Sequence, residues 1–148
     1  MSQLDNSLAQ AFAAVGSSYA LERNPYVVTM NVAVATDFHA PSLTTLRESM
    51  ASAASAIASR PFRNCIIVKM DPAVYGCNAT CKVFVNGSMQ ISGCKTLEAV
   101  AEVAEDMTLA LHLFFKTAAA ILSYKVQMIN TSLRTGKAIK IEEAFKVF

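Results

Sequence analysis

The chain has 148 residues, with 53% hydrophobic and 16% charged side chains and a net charge of +2, which suits one well-packed domain and excludes an intrinsically disordered chain. It contains no run of about 20 apolar residues without a charged or polar interruption, so we expect no membrane span. The N-terminus lacks the basic segment of a secretory signal, which favours an intracellular location.

Residues 1–25 are predicted to form an N-terminal arm. The apolar residues of the first part have a roughly helical spacing, which fits either a short amphipathic helix over residues 1–20 or a loosely ordered segment. These apolar residues are Leu4, Leu8, Phe12 and Val15. Asn24-Pro25 then breaks the pattern.

Residues 27–36 alternate in the way typical of a strand. One face carries the larger apolar residues, namely Val28, Met30, Val32 and Val34. The other face carries small and neutral residues, namely Thr29, Asn31, Ala33 and Ala35. A strand with so smooth a face would let a flat ligand approach its backbone, whereas an ordinary solvent-exposed face usually carries Lys, Glu or Arg.

A helix is predicted after Ser42, whose hydroxyl is a suitable N-cap. The apolar stripe of this helix is Leu43, Leu46, Met50, Ala53 and Ile57. Arg60-Pro61 is predicted to end it, and residues 62–70 are predicted to form a second strand.

Two short apolar runs flank Asn86-Gly87, a dipeptide that tolerates the positive φ of a tight turn and predicts a β-hairpin. A two-residue turn would place Phe84 beside Met89, and a three-residue loop over residues 86–88 would place it beside Gln90. We favour the longer loop, because it sorts the side chains into two distinct faces. The core face then carries Cys81, Val83, Met89 and Ile91, and the other face carries Lys82, Phe84, Gln90 and Ser92.

Residues 95 to about 123 are predicted to form the longest helix, with Thr96 as its N-cap. Its first half is acidic. Its second half is apolar nearly all round, which indicates burial on several sides or contact with another chain. Residues 124–130 alternate like a strand, and residues 139–148 have helical potential, so a strand–helix pattern begins a second time.

Nothing in the sequence indicates an enzyme. Neither His39 nor His112 has a catalytic partner at a suggestive spacing, and no phosphate-binding or nucleophile motif is present. We therefore predict a non-catalytic protein that needs no cofactor. The cysteines, Cys65, Cys77, Cys81 and Cys94, lack the usual zinc-knuckle spacing. We interpret them as small apolar residues, with a four-cysteine zinc site as the alternative.

These elements resemble one repeat of the TATA-box-binding protein family, followed by the start of a second repeat. The resemblance rests on residues 28–33, 67–70, 83–89 and 91–95 for the strands and the hairpin. Residues 124–127 are similar to the start of the family's second repeat, and residues 141–144 to the helix that follows. The implied domains are an arm over 1–25, a first repeat over 26–123 and the start of a second over 124–148.

The resemblance implies an α+β half-saddle, a curved and mostly antiparallel sheet with two helices on one face. The first strands of the two repeats would lie side by side. It also implies a DNA-binding transcription-initiation factor, whose concave face occupies and bends the minor groove of A·T-rich double-stranded DNA. Such a protein would act in the nucleus or in a viral replication compartment.

The DNA-binding residues that the resemblance implies are Asn31, Ala33, Phe62, Lys69, Lys82, Phe84, Gln90 and Ser92. Phe84 and Phe62 would be wedges between base steps, and Lys69 would contact a phosphate. Lys82 and Gln90 stand where the family has apolar residues that line the groove.

The expected partners are DNA, transcription factors on the helical face, and a second copy of the chain, paired through residues 124–148. The alternative is a non-catalytic protein-interaction or structural module on the same fold, which the near-neutral charge and the apolar helix favour. A second repeat that is cut short suits a viral or otherwise remote member of the family, or an N-terminal fragment.

Overall fold

The computed structural model describes residues 21–51, 53 and 56–135. Of these, Val27–Asn130 form one compact unit, and residues 21–26 and 131–135 belong to a second. Of the predicted arm over residues 1–25, residues 1–20 lie outside the described residues, and residues 21–25 belong to a strand that begins at Leu21, earlier than the predicted start at Val27. The predicted helix over residues 139–148 also lies outside the described residues.

The described strands form one curved, open sheet. They are β1 (Leu21–Thr36), β2 (Ala56–Phe62), β3 (Cys65–Met70), β4 (Thr80–Phe84), β5 (Met89–Cys94) and β6 (Ile121–Thr135). The strand order is β2-β3-β4-β5-β1-β6, and the neighbours from β2 to β1 are all antiparallel. Beyond the end of β1, Asp37 N–H donates to the carbonyl oxygen of Ala120 at 3.2 Å, just before β6 begins.

Three described helices connect these strands: α1 (Leu43–Ala51), the single turn α2 (Pro72–Tyr75) and α3 (Leu97–Phe115). Both predicted N-caps are confirmed. Thr45 N–H donates to Ser42 Oγ at 3.2 Å, and Ala99 N–H donates to Thr96 Oγ1 at 3.2 Å. These bonds satisfy amide groups that the first turn of a helix leaves without a partner.

The core lies between one face of the sheet and helices α1 and α3. α1 packs against β2, β3 and α3, and α3 packs against β5. The buried cluster contains side chains from all of these layers, including Val32, Val68, Val83, Ile91, Leu46, Met50, Val103 and Met107. The predicted α+β class, an antiparallel sheet with helices on one face, is therefore confirmed. In the part of the chain that the structure describes, no helix has the length and apolarity needed to cross a membrane.

The structure corrects the prediction for residues 43–70. The helix predicted to include Ile57 ends at Ala51, and Ile57 lies in a separate strand, β2. The strand predicted over residues 62–70 begins only at Cys65, because Phe62 is the last residue of β2. β2 turns into β3 through Arg63, which has a φ of 51°, and Asn64. The stretch before Pro61 is rich in Ala and Ser, so its helical pattern was weak and pairing with β3 decided its conformation. A proline is tolerated at position 61 because β2 is an edge strand of the described sheet, where one side of the strand needs no N–H donor.

The loop of the predicted hairpin lies one residue earlier than expected. Phe84 N–H donates to the carbonyl oxygen of Ser88 at 2.9 Å, so Phe84 lies opposite Ser88 and not opposite Gln90 or Met89. The loop is therefore Val85-Asn86-Gly87, in which Gly87 has a φ of 79°. The predicted faces are nevertheless correct. The pairing shifts by two residues, and side-chain direction in a strand repeats every two residues.

Three smaller corrections concern the ends of elements. α3 ends at Phe115 and not near Ser123, and β6 already begins at Ile121, before Tyr124. Val28, predicted on the same face as Val32 and Val34, is 41% exposed, whereas those two residues are buried. β5 ends at Cys94, opposite Met30, so Val28 lies beyond the last pair that β1 forms with β5.

Candidate nucleic-acid interface

The sheet face turned away from α1 and α3 brings together all eight residues predicted to contact DNA. We call it the open face. Its described positions are Asn31, Ala33 and Ala35 of β1, Phe62 of β2, Cys65, Ile67 and Lys69 of β3, Thr80, Lys82 and Phe84 of β4, Ser88, Gln90 and Ser92 of the β5 side, and Ser123, Lys125 and Gln127 of β6.

Directly paired residues point to the same side of a sheet, so the open face is organised in rows across the strands. In the first row, Asn31 pairs with Ser92, Ser92 with Thr80, and Thr80 with Lys69. In the middle row, Ala33 pairs with Gln90, and Gln90 pairs with Lys82.

The third row is aromatic. Phe62 pairs with Cys65, and Cys65 pairs with Phe84. Phe62 is 50% exposed, and the guanidinium carbon of Arg63 lies 5.8 Å from the centre of its ring. Cys65 is almost fully buried, and its thiol donates to the carbonyl oxygen of Phe62 at 3.2 Å. The two phenylalanines predicted as wedges therefore lie at the same end of the sheet, with strand β3 between them.

The middle of the open face is a shallow groove of about 420 Å³, lined by residues of β1, β4, β5 and β6. Across it, Gln90 Nε2 donates to Gln127 Oε1 at 3.1 Å. Ala33 and Ala35 line the same groove. Because these side chains end at Cβ, a ligand in the groove could come close to the backbone of β1.

Asn31 presents an unusual polar atom. Its Oδ1 is shielded from solvent and has no hydrogen-bond partner among the described residues. Most buried polar atoms in proteins are paired, so such an atom calls for an explanation. The remaining polar group of the side chain is the Nδ2 amide, which is a hydrogen-bond donor.

Charges are separated between the two sides of the sheet. The open face carries Lys69, Lys82 and Lys125, and none of its described positions is an Asp or Glu. The described helices contain a single Lys or Arg, Arg47, and five acidic residues, Glu48, Glu98, Glu102, Glu105 and Asp106. The net charge of the chain is therefore small although the open face is positive and the helical side is acidic.

Sequence reasoning missed the contribution of β6 and of Arg63. The alternation over residues 124–130 already places Lys125 and Gln127 on one side of a strand. Which face of which sheet they join depends on β6 lying next to β1, and no local pattern encodes that. Arg63 was hidden because the β2–β3 turn was not foreseen.

The cysteines and histidines lie away from this face, apart from Cys65. Burial, with a further contribution from the neighbouring Cys77 thiol, raises the pKa of Cys94 to about 12. Burial also raises the pKa of Cys81. No group of three His, Cys, Asp or Glu side chains among the described residues is arranged to hold a metal ion. His112 is exposed, and its Nδ1 lies 2.7 Å from the carbonyl oxygen of Thr117.

A scan of protein-family models and a search of curated protein sequences give no match to this chain.

Proposed function

We propose that the open face binds double-stranded DNA in the minor groove and bends it, and that the protein acts in transcription initiation in the manner of the TATA-box-binding protein family. The observation that carries this proposal is the separation of charge across the sheet. Lys69, Lys82 and Lys125 are available on the open face to neutralise phosphates. The acidic residues of α3 are on the helical side, where they would not repel the DNA.

The middle of the open face has the chemistry that an A·T-rich minor groove requires. Both A·T and T·A pairs present only hydrogen-bond acceptors in that groove, so a protein must supply donors. The Nδ2 amide of Asn31 is such a donor, and Oδ1 of the same residue is already turned away from solvent. Ala33 and Ala35 leave room for base edges beside it.

The aromatic row supplies the means to bend DNA. Minor-groove proteins insert apolar side chains between base steps, and the unstacking kinks the duplex. Phe62 of β2 and Phe84 of β4 flank the buried Cys65 of β3 at one end of the sheet. Arg63, beside the ring of Phe62, would approach the phosphates that flank the kinked step.

The position of β6 supports a half-saddle of the family's type. The resemblance matches β1 and β6 to the first strands of two repeats, and these two strands are neighbours in the sheet. A factor of this kind would act where transcription begins, in a nucleus or in a viral replication compartment.

A bending assay with a matched pair of variants tests the proposal. A short A·T-rich duplex labelled at both ends with a donor and an acceptor dye should show increased energy transfer when the protein binds. Phe84→Ala should lose most of this increase, because unstacking a base step without a wedge costs a few kcal/mol. Phe114→Ala is the control, since Phe114 is an exposed phenylalanine of α3 on the opposite side of the sheet.

The salt dependence of binding completes this test. If the lysines contact phosphates, the dissociation constant should rise steeply between 50 and 200 mM salt. Wild-type protein that leaves the duplex straight, or that binds equally at all salt concentrations, would refute the proposal. Equal loss of bending in both phenylalanine variants would show that the wedge lies elsewhere.

The alternative function, a non-catalytic protein-interaction module, also has an observation in its favour. Leu109 and Leu113 of α3 are 53% and 65% exposed, on the same side of the helix as Glu98, Glu102 and Glu105. An exposed helical stripe with an acidic half and an apolar half suits a protein partner with basic and apolar residues. On the proposed DNA-binding factor, this stripe would receive other transcription factors. If the alternative holds, the protein binds such partners and shows no affinity for the duplex.

A further inference from the structure

The outer edge of β6 is a free strand edge within the described sheet. β6 has β1 on one side and no described strand on the other. Its part within the compact unit, residues 121–130, contains a single charged residue, Lys125, and no proline or glycine. Natural proteins usually protect edge strands with charges, prolines or bulges, because unpaired backbone groups there attract another strand.

The two faces of β6 can be assigned from contacts. Ser123, Lys125 and Gln127 line the groove of the open face. Tyr124 lies on the helical side: burial and the nearby Glu105 carboxylate of α3 raise the pKa of the Tyr124 phenol. By alternation from Tyr124 and Gln127, Met128 is on the same side as Tyr124, and it is 50% exposed.

We propose that a second copy of this chain pairs antiparallel with β6, edge to edge, with the twofold axis at Val126. Contacts of this kind between identical chains are isologous, so every pair of residues occurs twice. A twofold axis at Lys125 would place two lysines opposite each other, which is unfavourable. The axis at Val126 avoids this contact and places Lys125 opposite the partner's Gln127.

The same register also gives the exposed apolar side chains on the helical side of the strand a partner. It places Tyr124 opposite the partner's Met128, and the partner's Tyr124 opposite Met128. Pairs of an aromatic ring and a methionine sulfur are favourable, and both side chains are only partly covered in the single chain, with Tyr124 44% and Met128 50% exposed. The Val126 side chains of the two copies meet at the axis. Pairing with an identical β6 in this register therefore avoids a like-charge contact and brings exposed apolar side chains together.

Pairing in this way would extend the open face. Two sets of Ser123, Lys125 and Gln127 would meet at its centre, and an aromatic row would stand in each half. This consequence for DNA rests on the proposed function, whereas the dimer itself does not. On DNA, the paired chains would favour a site with twofold symmetry.

Sedimentation equilibrium of the full chain without DNA tests the pairing. Wild-type protein should have twice the mass of the chain at micromolar concentration. Met128→Lys should raise the dimer dissociation constant at least about tenfold, because a lysine replaces the apolar group opposite Tyr124 at two places. Val74→Lys is the matched control: Val74 of α2 is 55% exposed and Met128 is 50% exposed, so both changes add one charge at a similarly exposed apolar site.

Two variants of one residue test the register. Gln127→Lys should weaken the dimer at low salt, because it faces the partner's Lys125, and Gln127→Glu should strengthen it several-fold. Both effects should vanish at 1 M salt, where charges are screened within about 3 Å. A monomeric wild-type protein from micromolar to millimolar concentration would overturn the dimer. Equal effects of the two Gln127 variants would overturn the register. Either result is read without DNA, so it is independent of the proposed function.

Discussion

Gln90 and Gln127 meet across strand β1. Gln90 is directly opposite Ala33 on β5, and its Nε2 donates to Gln127 Oε1 of β6 at 3.1 Å. The two glutamines therefore reach across the whole width of β1, which lies between their strands. Ala33 has a small side chain that leaves room beside Gln90, and the bond links β5 to β6 across β1 on the open face.

Ala33→Leu should separate the two glutamines and fill the centre of the groove. We expect DNA affinity to fall at least about tenfold, a loss of about 1.4 kcal/mol. The free energy of unfolding should change by less than about 1 kcal/mol, because the side chain points away from the core. Fluorescence anisotropy with a labelled duplex and urea denaturation measure the two quantities. Ala73→Leu, at an exposed position of α2, is the control and should change neither.

Lys69→Ala and Lys82→Ala should differ in their effects. Lys69 is exposed near the edge of the face, so its loss should weaken binding to all sequences and reduce the salt slope by about one. Lys82 is half-buried in the middle row opposite Gln90, so its loss should alter the preference among duplexes. Lys95→Ala, outside the sheet, is the control. Identical, purely salt-dependent losses at positions 69 and 82 would indicate a nonspecific basic surface.

Gly93→Ala should be strongly destabilising. Gly93 has a φ of +91°, and a Cβ there would lie 2.1 Å from the carbonyl oxygen of Asn78. Strain and the clash together should lower the free energy of unfolding by about 3 kcal/mol in urea denaturation. Gly76→Ala is the matched control, with a φ of +65° and no atom within 4 Å of the added Cβ. It should lose only about 1 kcal/mol. Equal losses would mean that the clash with Asn78 adds nothing to the cost of the positive φ.

Stability should fall at alkaline pH. The pKa of Cys94 rises from 9.0 to about 12 on folding, so between these values the folded state holds a proton that the unfolded state has released. The contribution of Cys94 is complete below about pH 9 and decreases above it, by up to about 1.4 kcal/mol per pH unit, and the buried Cys81 thiol, whose pKa is also raised, adds a loss of the same sign. Urea denaturation between pH 7.5 and 10.5 with a reductant should show this slope. Cys94→Ala should make it shallower, and an unchanged slope would contradict the assignment.

Local patterns predicted the faces of the sheet because a strand's side chains alternate whatever its partner is. For this reason Cys81, Val83 and Ile91 were correctly assigned to the core, and Phe84 and Lys82 to the other face. The N-caps Ser42 and Thr96 were equally local. Each requires only a hydroxyl at the right distance before a helix.

Features that depend on distant neighbours were not predictable in this way. The stretch before Pro61 has no strong preference of its own, and β2 forms because β3 is there to pair with it. Lys125 joined the candidate site only because β6 lies beside β1. Even the hairpin loop depended on which residue of the turn takes the positive φ, and Gly87 takes it as the last loop residue.

The two edges of the described sheet differ in one chemical respect. β2, at the far edge, contains Pro61, which has no backbone N–H to offer to an added strand. A chain that joined copies through both edges would grow into a fibre. In the proposed pair, with one receptive edge and one blunted edge, growth would stop after a single addition, because both outer edges would then be β2. Pro61 would thus limit the size of the assembly, and Pro61→Val tests whether longer oligomers follow.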